Sequence, residues 1–149
     1  MAGNGVFIIQ TPPVSAYKIA LFSNASGIGF GTYFGKKWLY SSWPDNLKDM
    51  KEFYTQFKEL FVIVAAIFTL GDLLSNKQII LYSDDLDIFR IWHTGSSRND
   101  CIMTLIRALC LYCATKNINL FLRHVYRHLD KPANALSRLL IALFHKLRP

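Results

Sequence analysis

The stretch that most constrains the fold is residues 16–34, AYKIALFSNASGIGFGTYF. Residues 17–22 are apolar enough for a buried strand, and residues 28–34 are typical of a second strand, after small and polar residues at 23–27. Two strands joined by a tight turn predict an antiparallel hairpin. Gly29 and Gly31 indicate that another segment approaches the second strand closely. Asn24 leaves the end of the first strand, where α/β folds usually place their chemistry.

The rest of the chain predicts one more strand of a meander and then strands alternating with helices. The predicted elements are strands at 36–42, 78–82 and 119–124 and helices at 53–74, 86–92, 100–116 and 132–144. This order predicts an α/β fold with a five-stranded mixed sheet covered by helices. Residues 1–15 contain two glycines and two prolines and are predicted to be an irregular lead-in or linker. Residues 16–145 are predicted to form a single domain.

The charge and the cysteine content of the chain predict which kind of partner it binds and in which compartment it is found. The net charge of +7 over 149 residues favours an anionic partner such as nucleic acid. The longest apolar run lies within residues 60–70, whereas a bilayer span needs about 20 residues, so no membrane association is expected. Three cysteines, an odd number, argue against a disulfide framework and for a reducing, intracellular location in the cytoplasm or nucleus. The isolated domain is expected to be monomeric.

Four polar residues fall at element ends that this topology can bring together. They are Asn24, Glu59, Asp84 and Asn134. Carboxylates clustered at such a point can hold two metal ions, which clamp a phosphodiester for in-line attack by water. Mg²⁺ prefers oxygen ligands of this kind.

Four segments carry a family resemblance, namely LFSNASGIGFG, FKELFVIV, LYSDDLDIFRIWHTGSSR and HVYRHLDKPANALSR. Together they resemble a retroelement ribonuclease H domain, and the likeness is closest to the domain that follows reverse transcriptase in DIRS-type, tyrosine-recombinase retrotransposons. The resemblance covers about residues 16–140, and ANALSR is similar to the ADALSR of many retroelement ribonucleases H. It implies a ribonuclease H-like fold that cuts the RNA strand of RNA–DNA hybrids. It also implies a reverse transcriptase domain in the same polyprotein as a partner.

The resemblance assigns roles to the four polar residues. The family holds Mg²⁺, with Mn²⁺ possible, on an Asp-Glu-Asp-Asp set; Glu59 and Asp84 match its glutamate and its strand-four aspartate. Asn24 and Asn134 stand where the family has its first and last aspartates. An amide offers a carbonyl oxygen but no charge, so weak metal binding and impaired or absent hydrolysis are predicted.

Two questions stay open on the sequence alone. A substitution introduced to trap a nuclease on its substrate and the decay of a genomic copy explain the two amides equally well. The competing function is a non-catalytic nucleic-acid-binding or structural domain that keeps the fold and the basic surface.

A second group of residues is expected to contact the hybrid through hydroxyls, backbone or charge. They are Ser26, Gly27, Ser96, Arg98 and Arg127. His124 and His128 precede the last helix, where some ribonucleases H carry a histidine that assists product release. A strand-end or surface position is the favoured interpretation of both.

The remaining candidates are interpreted structurally. Asp85 and Asp87 are expected to cap and solvate the short helix, and Asp130 is expected to cap the last helix rather than to bind metal. Cys110 and Cys113 have CxxC spacing, which in another context indicates zinc or redox chemistry. They lie in the middle of an apolar helix with no second ligand pair nearby, which favours a buried core pair.

Overall fold

The computed structural model describes residues 15–48, 55–126 and 129–147, with side chains from Ile19 onward. The predicted lead-in at 1–15 therefore lies outside the described residues except for Ser15. The elements are β1 (Ser15–Ala25), β2 (Gly29–Phe34), β3 (Lys37–Ser42), α1 (Asp45–Lys48), α2 (Thr55–Leu74), β4 (Lys77–Ser83), α3 (Leu86–Thr94), α4 (Asp100–Lys116), β5 (Asn119–His124), α5 (Lys131–Ser137) and α6 (Ile141–Leu147). All five strands are found where the sequence predicts them, and α1 is a single helical turn in a segment predicted as loop.

The sheet is mixed and has the strand order β3-β2-β1-β4-β5. β1 is antiparallel to β2, and β2 is antiparallel to β3, as a meander requires. β1 and β4 are parallel, as are β4 and β5. The predicted five-stranded mixed sheet is confirmed, and β1 lies at its centre. Because β1 and β4 run in the same direction, their carboxyl ends meet at one edge and bring Asn24 close to Asp84.

One face of the sheet carries the main hydrophobic core, which α2 and α4 cover. Nine apolar or small residues of α2 are buried, so the helix is apolar on most of its circumference. Leu60, Ile63 and Ile67 are fully buried, and they belong to the same core cluster as Leu21 and Leu81 of the sheet. No helix in the described ranges is both long and apolar enough to cross a membrane.

The opposite face is covered by α5 and α6, which correct the prediction of one helix over 132–144. The helix ends at Ser137 because Leu139 adopts a left-handed backbone with φ of 62°. The amide of Leu140 then donates to the carbonyl of Ala135 at 2.9 Å, which closes the helix end. The break lets Phe144 pack against the ring of Tyr33, with centroids 5.5 Å apart.

Two glycines in β2 allow α5 to lie directly on the sheet. A Cβ atom added to Gly31 would lie 2.7 Å from Cβ of Leu136, and one added to Gly29 would lie 3.0 Å from the carbonyl oxygen of Ser137. Real Cβ atoms do not come as close as 2.7 Å to another heavy atom. The close approach predicted from the glycines is confirmed, and it brings the residues of α5 to the end of β1.

Candidate functional site

A groove at the carboxyl ends of β1 and β4 brings the four predicted site residues together. Asn24, Glu59, Asp84 and Asn134 all line it. Ser26 and Gly27, in the turn after β1, form part of the same lining. Their positions follow from the fold: two parallel strand ends, one buried helix and the first turns of α5 meet at this edge. The catalytic and metal-binding roles of these residues stay predictions.

Asn24 lies at the centre of the groove's polar network and is only 3% exposed. Its Nδ2 donates to Oδ2 of Asp84 at 3.2 Å and to Oδ2 of Asp130 at 3.1 Å. Its Oδ1 accepts a longer bond of 3.4 Å from the hydroxyl of Ser137. The amide therefore ties β1 to the end of β4 and to both ends of α5.

Glu59 is an acid on the otherwise apolar buried side of α2 and is 4% exposed. Its Oε1 accepts a hydrogen bond from the backbone amide of Ala25 at 3.1 Å, which fixes α2 against the end of β1. Its Oε2 is buried and has no hydrogen-bond partner among the described residues. Burial raises the pKa of Glu59 well above its ordinary value, and the nearby charges of Asp84 and Asp85 raise it further.

Asp130 contacts the candidate site through Asn24, and its role differs from the one predicted from the sequence. It stands at the N-cap position of α5, but its side chain makes no capping hydrogen bond, so the predicted capping role is wrong. The side chain is 0% exposed because it turns inward to Asn24, and its Oδ1 is left without a hydrogen-bond partner among the described residues. Burial raises the pKa of Asp130 to about 8; the hydrogen bond from Asn24 opposes this shift and the charge of Asp84 adds to it.

Asp85 has the capping role that the sequence predicts. Its carboxylate accepts hydrogen bonds from the backbone amides of Asp87 at 2.9 Å and Ile88 at 3.1 Å, so it closes the first turn of α3. Burial raises the pKa of Asp85, and the two amide bonds counteract that rise. Its carboxylate is thus engaged in the helix end, although the residue borders the groove.

The donor set does not fit a pair of divalent cations. Two of the four predicted site residues are neutral amides, and the N–H₂ group of Asn24 points at Asp84 and Asp130, where a shared cation would need an oxygen ligand. Among the described residues, no group of three His, Cys, Asp or Glu side chains is arranged to hold a metal ion. The chemistry of a two-metal hydrolase is therefore not supported by these side chains as they stand.

Arg138 and Ser137 are further residues at the groove that are not among the contact residues predicted from the sequence. Arg138 is exposed and lines the groove, and the Ser137 hydroxyl reaches Asn24. A spacing of four places Asp130, Asn134 and Arg138 along one side of a helix, and that spacing is the signal that could have grouped them.

The other predicted contact residues lie apart from the groove or outside the described chain. Ser96 and Arg98 are located between α3 and α4 and do not line the groove. Arg127 and His128 fall outside the described residues. His124 ends β5 with its ring 5.6 Å from that of Tyr126, consistent with the strand-end interpretation.

The cysteines occupy the positions expected of core residues. Cys113 is buried in α4 and belongs to the main core cluster, and Cys110 is half-buried beside it. Burial raises the pKa of the Cys113 thiol to about 12, so its thiolate is scarce at neutral pH.

Comparisons with known proteins identify the fold. No protein-family model matches the sequence, and no curated protein matches it either. Ribonuclease H1 from the halophilic archaeon Halobacterium salinarum NRC-1 is similar with a TM-score of 0.61 and 14% identity, over 85% of this chain and 98% of that one. LC11-RNase H1, a metagenomic enzyme from compost solved in complex with an RNA/DNA hybrid, gives a TM-score of 0.60 at 14% identity, with the same coverage.

A viral structure shares the fold as well. The foamy viral protease-reverse transcriptase, solved in complex with dsDNA, gives a TM-score of 0.57 at 12% identity, over 87% of this chain and 95% of that one. At such low identities the likeness concerns the backbone fold. The chain therefore has a ribonuclease H-like α/β fold.

Proposed function

We propose that this chain is a ribonuclease H-type domain directed at the RNA strand of RNA–DNA hybrids, in which hydrolysis is impaired or absent. The observation that carries the proposal is the groove itself. The residues Asn24, Glu59, Asp84 and Asn134 lie together in it, at the carboxyl ends of two parallel strands. The resemblance to ribonuclease H implies an acidic site at this place. The same groove carries amides at two of those four positions.

Two of the structural comparisons support an RNA–DNA hybrid as the ligand and a reverse transcriptase as the neighbouring domain. LC11-RNase H1 was solved with an RNA/DNA hybrid, and the foamy viral match is a protease-reverse transcriptase. We propose that this domain likewise belongs to a retroelement polyprotein of the DIRS type, with reverse transcriptase as its neighbour. It would act as a monomeric unit inside the cell, in the cytoplasm or nucleus.

The residues proposed to bind a hybrid are groove residues other than the carboxylates. Arg138 is exposed at the groove and can pair with a backbone phosphate. Gly27 is exposed in the turn after β1 and leaves room for a sugar–phosphate backbone to approach. A protein that reads a hybrid in this way senses groove shape and 2′-hydroxyl groups rather than base sequence.

Hydrolysis requires more negative charge than the groove offers. In two-metal hydrolysis the cations stabilise both the attacking and the leaving oxygen. Asn24 and Asn134 carry no charge, and the N–H₂ group of Asn24 is already bonded to Asp84 and Asp130. Mg²⁺ or Mn²⁺ is therefore expected to bind weakly at most.

The test combines binding and cleavage on matched duplexes. Fluorescence anisotropy with an RNA–DNA hybrid, double-stranded DNA and double-stranded RNA of one sequence should show preference for the hybrid. Arg138→Ala should weaken hybrid binding about five-fold and lower the salt dependence by about one phosphate contact. Arg107→Ala removes the same charge from α4, which contributes nothing to the groove lining, and should change binding little.

The second candidate function is a non-catalytic nucleic-acid-binding or structural domain, and the hydrogen-bonded amide of Asn24 favours it over an active enzyme. Equal binding to all three duplexes would support a general nucleic-acid-binding domain. Absence of binding to any duplex would support a structural domain. Robust cleavage of the hybrid with Mg²⁺ by the unaltered chain would show that the site is active despite its amides.

A further inference from the structure

The amide of Asn24 fills the space between two carboxylates at the edge of the sheet. Both of its N–H donors are used, one on Asp84 at 3.2 Å and one on Asp130 at 3.1 Å. A primary amide has two such donors and one carbonyl acceptor, so its donating capacity is fully spent here. The acceptor Oδ1 lies 3.4 Å from the hydroxyl oxygen of Ser137, which also donates to the backbone carbonyl of Asn134 at the shorter distance of 2.8 Å.

The partners favour one orientation of this amide. In the reversed orientation, Oδ1 of Asn24 would face Oδ2 of Asp84 and of Asp130 and would be repelled by either carboxyl group that is ionised. The N–H₂ group would then face the Ser137 hydroxyl, which can accept one bond but leaves the second donor buried. The orientation in the structure therefore pairs both N–H donors of Asn24, whereas Oδ1 of Asp130 has no hydrogen-bond partner among the described residues.

We propose that the Asn24 amide takes the place of a divalent cation, so that the chain holds Asp84 and Asp130 together without metal. Asn24 and Asp130 form an amide–carboxylate pair, in which one position must be the amide when the other is the acid. This inference does not rest on the proposed recognition of hybrids, because it concerns how the acids are held. It rests on the donor set's disagreement with a two-metal site.

The pairing rule is the condition that one of positions 24 and 130 is an amide when the other is an acid. It follows from the donors available at the contacts of residue 24 with Asp84 and residue 130. With aspartate at position 24, both contacts become approaches between carboxyl oxygens with no amide donor between them, and burial strengthens the repulsion between those that are ionised. Only a proton or a cation can then satisfy them. If position 130 becomes an amide at the same time, an N–H donor again faces the carboxylate at position 24, and the number of acids in the groove returns to that of the native chain. The carboxylates at positions 24 and 84 would then face one point with oxygen ligands, which is what a cation requires.

The experiment measures thermal unfolding in EDTA and across a Mg²⁺ titration, without any nucleic acid. The variants are Asn24→Asp, Asp130→Asn and the two combined, and the control is Asn46→Asp, which makes the same change at an exposed position of α1. The unaltered chain should have the same Tm in EDTA and in Mg²⁺. Asn24→Asp should lower the Tm in EDTA by about 5 to 10 °C relative to the Asn46→Asp control.

Rescue is the second readout. Mg²⁺ should raise the Tm of Asn24→Asp in a saturable manner, because binding to the native state alone stabilises it. The double variant should recover about half of the lost Tm in EDTA, since one of the two contacts regains its donor. If Asn24→Asp does not fold in EDTA, recovery of folding by the double variant supports the pairing rule.

Three results would overturn the inference. One is a saturable Mg²⁺-dependent rise in Tm for the unaltered chain, which would mean that a cation displaces the amide. Another is an Asn24→Asp variant as stable in EDTA as Asn46→Asp. The third is a double variant no more stable in EDTA than Asn24→Asp alone. Calorimetric titration of Mg²⁺ into the unaltered chain gives a check that needs no variant, and it should show no binding at millimolar concentrations.

Discussion

Substituting Gly31 tests the contact that brings α5 to the site. Gly31 lies in β2, between β1 and β3, so its backbone is held on both sides by the sheet. In Gly31→Ala the new Cβ would lie 2.7 Å from both Cβ and Cγ of Leu136 and 3.0 Å from its carbonyl carbon. A backbone carbon and a Cβ atom cannot move aside as the tip of a flexible side chain can, so α5 must shift as a body.

The expected loss of stability in Gly31→Ala is the difference between two opposing effects. Overpacking of this kind typically destabilises a protein by about 1 to 3 kcal/mol. Replacing glycine by alanine in a strand gains about 0.5 to 1 kcal/mol, because the unfolded chain has less backbone freedom to lose. The net loss should be about 1 to 2 kcal/mol, which for a domain of this size lowers the Tm by about 2 to 8 °C.

The assay compares thermal unfolding of Gly31→Ala with that of Gly27→Ala. A Cβ atom added to Gly27 meets nothing within 4 Å, and the residue is exposed, so this control should leave the Tm nearly unchanged. Because α5 ends next to Arg138, Gly31→Ala should also weaken hybrid binding, whereas loss of stability alone would leave the folded fraction's affinity intact. Equal Tm values for the two variants would show that α5 does not rest on Gly31 and would refute the packing argument.

Three further predictions concern charge and reactivity. Burial raises the pKa of Asp130 from 3.8 to about 8, so this residue stabilises the folded state at low pH, and that contribution is lost as the pH rises towards 8. The Tm of Asp130→Asn should therefore increase relative to the Tm of the unaltered chain between pH 5 and pH 9. A difference in Tm that stays constant over this range would contradict the prediction. Cys113 is 6% exposed with a pKa of about 12, so iodoacetamide at pH 8 should modify the half-buried Cys101 well before Cys113 in the native protein, as peptide mass mapping can show. Asn134→Asp alone should give little or no Mg²⁺-dependent cleavage of a hybrid, because position 24 stays neutral. Full activity in that variant would show that Asn24 is not the limiting position.

Local patterns predicted most of the fold. α4 and β5 have the bounds that apolar spacing and flanking polar residues predict, since Asn99 caps α4 and Asn117 closes it in a left-handed conformation. The mixed sheet follows from the order of elements. The break between α5 and α6 could not be predicted, because no glycine or proline marks it. The apolar spacing of Leu136, Leu140 and Phe144 continues through the break at intervals of four.

The site was predictable in part because its members sit at the ends of regular elements. Asn24, Glu59 and Asp84 follow from strand ends and from an acid on an apolar helix. Asp130 was assigned to a helix end, since acidic residues before a helix usually cap it. Tertiary packing overrides this local preference. Because α5 lies close to β2, the start of the helix faces the interior, and the side chain of Asp130 accepts a hydrogen bond from Asn24 rather than from its own helix.

In the proposed function, hybrid binding and hydrolysis depend on different residues, so a domain impaired in hydrolysis would still keep its fold. Arg138 is exposed at the rim, whereas Asn24 and Asp130 are buried and bonded to each other. Amides at positions 24 and 134 reduce the negative charge that a phosphate backbone meets, and long-range repulsion falls with it. The acids around Asn24 stay satisfied in part because its amide supplies the donors. Under the proposed function, amides at positions 24 and 134 would therefore preserve the folded core and favour retention of a bound duplex.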